Sequence, residues 1–326
     1  VENNPYQQHR LDVTDPEELV EAIRGSRIDA CLLGRGAGVS QLERVQLPRT
    51  CLDTIRVTSP LLATGEMPAD CYTLIYVNEC PEEGHSFNFA TRHGPGYMGF
   101  FAPGGVLDAF VPAGYANATL TIPKDLLLQE LAIRFPEAPA EWLGKGAGLR
   151  IPEPSRRRIG CLLGARREID RADSGWLAQN VARRHFEDEL IGVFAESLLC
   201  SWDCSRATVS TLRQKRYGVL RLIRDYIADH RGAPLRLDAL CEVSGMSRRG
   251  LEYLFKDHFG IGVNAFVRCQ RLHGARRAIC NSAPVPGVVK RIALEWGFWH
   301  LGRFAHDYQA CFGESPSATL SRRRRS

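Results

Sequence analysis

One pattern near the C-terminus constrains this chain more than any other feature. A small residue is followed four positions later by a glycine, then by an apolar plug and three apolar positions at helical spacing, and the whole pattern occurs twice. Residues 236–260 read RLDALCEVSGMSRRGLEYLFKDHFG, and residues 288–313 read VVKRIALEWGFWHLGRFAHDYQACFG. In the first copy a helix turns Leu237, Leu240 and Cys241 inward. Gly245 permits a left-handed turn, Met246 plugs the corner, and Ser247 stands where a helix cap is needed. Leu251, Leu254 and Phe255 then form the inner face of a second helix. In the second copy Ala293 and Gly297 match Cys241 and Gly245. Phe298 matches Met246, Phe304 matches Leu251, Tyr308 matches Phe255, and Phe312-Gly313 matches Phe259-Gly260. The offset is 52 up to the turn and 53 beyond it, so the second turn holds one extra residue. Two copies in register mark a repeated supersecondary unit, a helix–turn–helix.

Between the copies, residues 263–280 read as a helix with Phe266, Val267, Leu272, Ala275 and Ile279 apolar. Its length of ~27 Å compares with the ~34 Å separating successive major grooves on one face of a duplex. Charge points the same way. The net of +5 divides into 22 Lys/Arg against 9 Asp/Glu over residues 205–326 and 20 against 28 over residues 1–204. A basic block of +13 beside an acidic block of −8 suggests that one part meets a polyanion and the other does not. Arg248, Arg249, Glu252, Tyr253 and Lys256 of the first unit are left on or near the outer face, and Arg248, Arg249, Lys256 and Arg303 are expected to contact base or phosphate.

The 326 residues suggest two or three domains. No run approaches ~18 consecutive apolar residues, and the polar start Val1–Arg10 lacks the apolar core of a signal peptide, so a cytoplasmic location without membrane association is expected. The eleven cysteines contain no CxxC pair and the nine histidines no HExxH, so reduced thiols and no metal site are expected. No GxSxG elbow, P-loop or Rossmann glycine fingerprint is present, and no catalytic residue is assigned.

The first half reads differently. Residues 15–27 suggest a short helix. From about 28 to 122 short apolar runs recur at hairpin-like intervals with Gly and Pro between them, which predicts an antiparallel sheet or barrel-like sandwich. Residues 125–135 are helical, 139–174 are mixed, and 174–200 predict one long helix. Its stripe of Leu177, Val181, Phe186, Leu190, Phe194 and Leu198 needs a partner surface, either its own domain or a second subunit. Residues 201–214 read as a linker. Tyr72, Tyr76, Phe87, Phe89, Arg92, His93 and Tyr97 are candidates to line a pocket, with ordinary strand packing as the competing reading.

The segment 215–326 resembles the AraC/XylS family of bacterial transcription regulators, in SRRGLEYLFKDHFG, RCQRLHGARRAI and WGFWHLGRFAHDYQACFGESPSATL. The resemblance covers about a third of the chain. One departure is Val263, where the family usually places a proline; the second unit keeps Pro316. The resemblance implies an α+β protein: a cupin-like β domain (1–135), a helical dimerisation region (136–200), a linker (201–214) and a two-unit DNA-binding domain (215–326). It implies a sequence-specific regulator, with base-facing Arg249, Glu252 and Tyr253 in the first unit and Leu301, Gly302, Arg303 and His306 in the second. Lys290, Arg291, Arg322 and Arg323 are the expected phosphate contacts. Trp296, Phe298 and Trp299 are expected in core and corner packing. Implied partners are a promoter duplex, a second copy of the chain, a small-molecule or protein effector, and RNA polymerase if the protein activates. No cofactor is implied. The alternative is a cupin-like enzyme, metal-free or metal-dependent, fused to a DNA-binding domain.

Overall fold

The computed structural model describes residues 8–13, 26–34, 40–81, 86–88, 91–136, 143–144, 146–171, 180–202, 211–233 and 235–322. The described strands are β1 (Gln8–Val13), β2 (Arg27–Leu32), β3 (Ser40–Gln46), β4 (Cys51–Arg56), β5 (Leu61–Glu66), β6 (Cys71–Glu79), β7 (Ser86–Asn88), β8 (Thr91–His93), β9 (Tyr97–Phe101), β10 (Val106–Val111), β11 (Ala116–Pro123) and β12 (Ala147–Arg150). They form two antiparallel sheets. One runs β1-β3-β4-β11-β6-β9-β12 and the other β2-β5-β10-β7-β8. Most of the predicted helix at 15–27 lies outside the described residues, and its last residue, Arg27, opens β2.

Alternation along the strands sets the layers, because successive side chains point to opposite faces. In the five-stranded sheet Ile28, Ala30, Leu32, Leu61 and Leu107 face inward. They meet Leu42, Ile55, Val57, Ile75 and Phe101, so the two sheets form a sandwich. Cys31, Leu33, Leu62 and Phe110 face outward and are also buried, against the C-terminal helices.

The seven-stranded sheet is covered on its other face by α1 (Lys124–Arg134), α2 (Glu153–Arg171) and α3 (Asn180–Trp202). Here the structure corrects the dimer-helix expectation. Phe186, Leu190, Phe194 and Leu198 are buried within their own domain, in one cluster with Tyr72, Leu74, Phe100, Leu120 and Ile122. The sheet needed a cover, and α3 supplies it. Val181 alone of the stripe is solvent-exposed, and Leu177 lies outside the described residues. Glu187, on α3, accepts hydrogen bonds from the Thr50 hydroxyl and the Arg49 backbone N–H, both at 2.8 Å, fastening the turn between β3 and β4 to the helix.

The expected boundary at 135 also shifts. β12 pairs with β9, so the sandwich extends to Arg150. The stretch read as mixed contains α2, whose Glu153 pairs with Arg157 at 3.0 Å and whose Ile159 and Leu163 reach the core. Of the expected linker, 203–210 lies outside the described residues, while residues on either side of it are helical.

The described elements of the C-terminal segment are helices: α4 (Thr211–Asp229), α5 (Leu237–Ser244), α6 (Arg248–Phe259), α7 (Val263–Cys280), α8 (Val288–Glu295), α9 (Leu301–Phe312) and α10 (Pro316–Arg322). The helices of both predicted units, and the helix joining them, fall where the spacing put them.

Candidate nucleic-acid interface

The first unit is α5, a turn and α6. Gly245 adopts φ +65°, a backbone conformation that an L side chain rarely reaches. Ser247 accepts a hydrogen bond from the Gly250 N–H at 3.2 Å and caps α6. Leu251, Leu254, Phe255 and Phe259 are buried, which leaves Arg248, Arg249, Tyr253 and Lys256 exposed on the outer side. Arg248 donates to Asp238 at 2.8 Å. The Arg216 guanidinium lies 5.8 Å from the Tyr253 ring centre.

Glu252 has a structural task that its sequence position did not reveal. Its carboxylate accepts from the Val263 N–H at 3.3 Å, at the start of α7, and lies 3.8 Å from the Lys256 ammonium. Gly262, the N-cap of α7, has no side chain to serve there, and a Cβ on it would sit 2.2 Å from the Glu252 carboxylate. A proline at 263 would have no N–H to satisfy. The departure at Val263 thus creates a donor, and Glu252 meets it.

The second unit is α8, a turn and α9. Gly297 adopts φ +78°, and the Phe298 N–H donates to the Ala293 carbonyl at 2.8 Å. Phe298 packs on Phe304 with ring centres 4.9 Å apart. Trp296 packs so closely on α7 that a Cβ at Gly274 would lie 2.0 Å from its ring. Trp299 does not join them: it is 64% exposed, contrary to the expectation of corner packing. Gly302 has open space where a Cβ would stand, whereas one at Gly250 would meet Met246 and Ser247 at 3.3 Å. Leu301, Gly302, Arg303 and His306 share the exposed side of α9, and the Arg303 guanidinium lies 3.9 Å from the Asp307 carboxylate.

Behind α9, Arg276 is buried and donates to Glu314 at 2.8 Å and to the Tyr308 hydroxyl at 3.4 Å, joining α7 to the segment before α10. Of the expected phosphate contacts, Lys290 and Arg291 are exposed on α8, with Arg291 paired to Glu295 at 2.6 Å. Arg322 pairs with Glu314 at 2.5 Å, and Arg323 lies outside the described residues.

Among the described side chains, the expected effector residues do not converge on one site. Tyr72 and Tyr76 lie on the helix-covered face, where Tyr72 stacks on Phe100 at 5.5 Å. His93 is buried, stacks on Tyr97 at 5.2 Å and faces Gly148. Burial pushes its pKa down to about 4. Phe87 belongs to β7, and Phe89 lies outside the described residues.

Arg92 points to the C-terminal helices and pairs with Asp257 of α6 at 3.3 Å. It belongs to an interface that sequence reasoning missed. The Leu32 N–H donates to Nε2 of His273 at 2.9 Å, Arg277 pairs with Asp29 at 3.0 Å, and Asp108 accepts from Tyr217 and from Arg224, the latter at 2.5 Å. Phe110 meets Phe259 edge-on at 5.5 Å beside His258. Burial, aided by Arg224, Arg92 and Arg216, lowers the His258 pKa to about 3. The available signal was the outward apolar set Cys31, Leu62 and Phe110, on strands whose other face is also apolar.

A duplicated turn, a short second helix with exposed basic groups and an 18-residue helix joining the two units together define a double helix-turn-helix DNA-binding domain. The family described as "Helix-turn-helix domain" matches residues 240–322. The chain is 35% identical over 103 residues to the probable thc operon regulatory protein of Rhodococcus erythropolis, covering 32% of this chain and 31% of that one. It is 36% identical over 135 residues to XylDLEGF operon transcriptional activator 3 of Pseudomonas putida, covering 41% and 40%. The solved structure of a probable AraC family transcriptional regulator from Rhodopseudomonas palustris CGA009 shows 34% identity, 32% coverage of this chain, 97% of that chain and a TM-score of 0.31. The chain thus spans about a third to two fifths of the length of these curated relatives. Its C-terminal segment belongs to the AraC/XylS family of transcription regulators.

Proposed function

We propose that the protein is a transcription regulator that binds a specific duplex sequence through α6 and α9 and senses a small molecule in its β sandwich. The observation that carries the first part is the pair of turn units on a segment of net charge +13, held apart by the 18 residues of α7. Each second helix is short, exposed on one side and anchored on the other, as insertion into a major groove requires. The test is selection from random duplexes with the full-length protein, followed by titration on the enriched and a scrambled sequence at several salt concentrations. Enrichment of one sequence with tighter binding to it is expected. Equal affinity for both duplexes would overturn the reading.

Two observations support the sensing role. Ala30, Ala63 and Ala109 stand in register across β2, β5 and β10, which sets a row of small side chains on the inward face. The buried Thr73 hydroxyl, on the facing sheet, has no hydrogen-bond partner among the described residues. Arg92 and Asp108 then link the five-stranded sheet to α6 and α4. The stripe on α3 is spent within the protomer, so two copies would pair through other faces; light scattering at micromolar concentration measures this. The relatives are named as operon regulators, and nothing in the comparisons favours the enzyme alternative.

A further inference from the structure

Alignment of the two turns shows where the extra residue of the second copy goes. In the first, Gly245, Met246 and Ser247 lead straight into α6. In the second, Gly297 and Phe298 keep their places, and Trp299 and His300 then precede α9. The insertion is absorbed after the plug. Its effect is to remove the capping side chain from α9 and to turn the indole of Trp299 out into solvent. Leu301 follows at 38% exposure, then Gly302 with open space around it and Arg303. Two large apolar groups thus stand in water beside the basic group best placed to read a base.

An exposed indole contributes little to the fold, and such a patch marks a contact surface. The charge of its segment selects the partner, since a surface of net +13 complements a polyanion. Within the major groove of a duplex only thymine presents an apolar group, its C5-methyl.

We propose that Trp299, with Leu301 beside it, is a specificity-determining DNA contact that packs on thymine methyl groups in the half-site read by the second unit. This rests on the reading of the chain as a sequence-specific regulator. Arg303 then reads a base edge by hydrogen bonding, while Trp299 and Leu301 read methyl groups.

The experiment uses the full-length protein, its selected duplex, and duplexes in which each thymine of the second half-site is replaced by deoxyuridine. That replacement removes a methyl and leaves the hydrogen-bonding edge intact. The unmutated protein should lose about four-fold in affinity per contacted methyl, the transfer free energy of one buried carbon. Trp299→Ala should bind the thymine duplex more weakly by a similar factor and be indifferent to deoxyuridine at that position. Trp299→Phe should retain part of the sensitivity. An equal loss for Trp299→Ala on both duplexes would place the indole on the sugar–phosphate backbone and overturn the proposal, as would no loss at all. If the unmutated protein does not distinguish its selected duplex from a scrambled one, the reading as a regulator fails and the proposal goes with it.

Discussion

The two turn units share a backbone plan and differ in what completes them. The core of the second unit is drawn from its own helices, with Ile292, Phe304, Tyr308 and Phe312 around Leu272 and Ile279 of α7. The core of the first includes Cys31, Leu33, Leu62 and Phe110 from the β sandwich. Their polar faces differ in the same sense. On α6, Arg248, Glu252 and Asp257 are each engaged by another element, whereas Arg303 and His306 stand exposed on α9. A repeated motif therefore supplies geometry, and its neighbours decide which copy can answer to the other domain.

The sharpest way to break this comparison is Phe110→Ala. Removing a buried ring should cost about 3–5 kcal/mol in denaturant unfolding. Hydrogen exchange should show lost protection in α6 and much less in α9. Equal loss in both helices would mean that the second unit depends on the sandwich as much as the first.

Acid should act on the same interface. His258 is held neutral in the fold with its pKa lowered to about 3, and the unfolded chain takes up that proton near pH 6.5. A group with a depressed folded pKa that must stay neutral costs nothing above pH 6.5. Below it, stability falls by up to about 1.4 kcal/mol per pH unit until the folded pKa is reached. His93, at about 4, adds the same sign over a shorter window. His258→Leu should flatten the decline between pH 6.5 and 5 by about one proton, followed by urea unfolding. An unchanged slope would show that the interface histidine is not what responds.

Arg303→Ala should weaken binding to the selected duplex by ~1–3 kcal/mol and relax preference at one or two base pairs, with a much smaller effect on scrambled duplex. Equal losses on both would make Arg303 a phosphate anchor and remove the contrast between the units. The smallest expected effect is that of Glu252→Gln. If its carboxylate serves α7 and not a base, stability should drop by about 1 kcal/mol while base preference is unchanged. Altered preference in a repeated selection would restore the base-reading assignment for Glu252.

Legibility followed the range of the interactions involved. The turn units could be read because their signals are local: Gly245 and Gly297 at the corners, Ser247 at a cap, and apolar residues three and four apart. The exposed positions Arg249, Tyr253, Lys256 and Arg303 followed from the same periodicity. Trp299 did not, because tryptophan is usually buried and one inserted residue reverses that expectation. Glu252 did not, because its partner lies eleven positions away at the start of another helix. The stripe on α3 was legible as a stripe, but periodicity names a buried face without naming what buries it.

By itself the sequence determined the helix–turn–helix repeat, the antiparallel β character of residues 28–122 and the charge division between the halves, since each depends on neighbours within a few positions or on composition. Only the tertiary structure decided which face of the sandwich meets the DNA-binding helices. The strands β2, β5 and β10 are apolar on both faces, and alternation cannot tell a face that closes on the opposite sheet from one that closes on another domain. That choice lies in contacts such as Leu32 to His273, 241 residues apart, whose partners become neighbours only when the whole chain has packed.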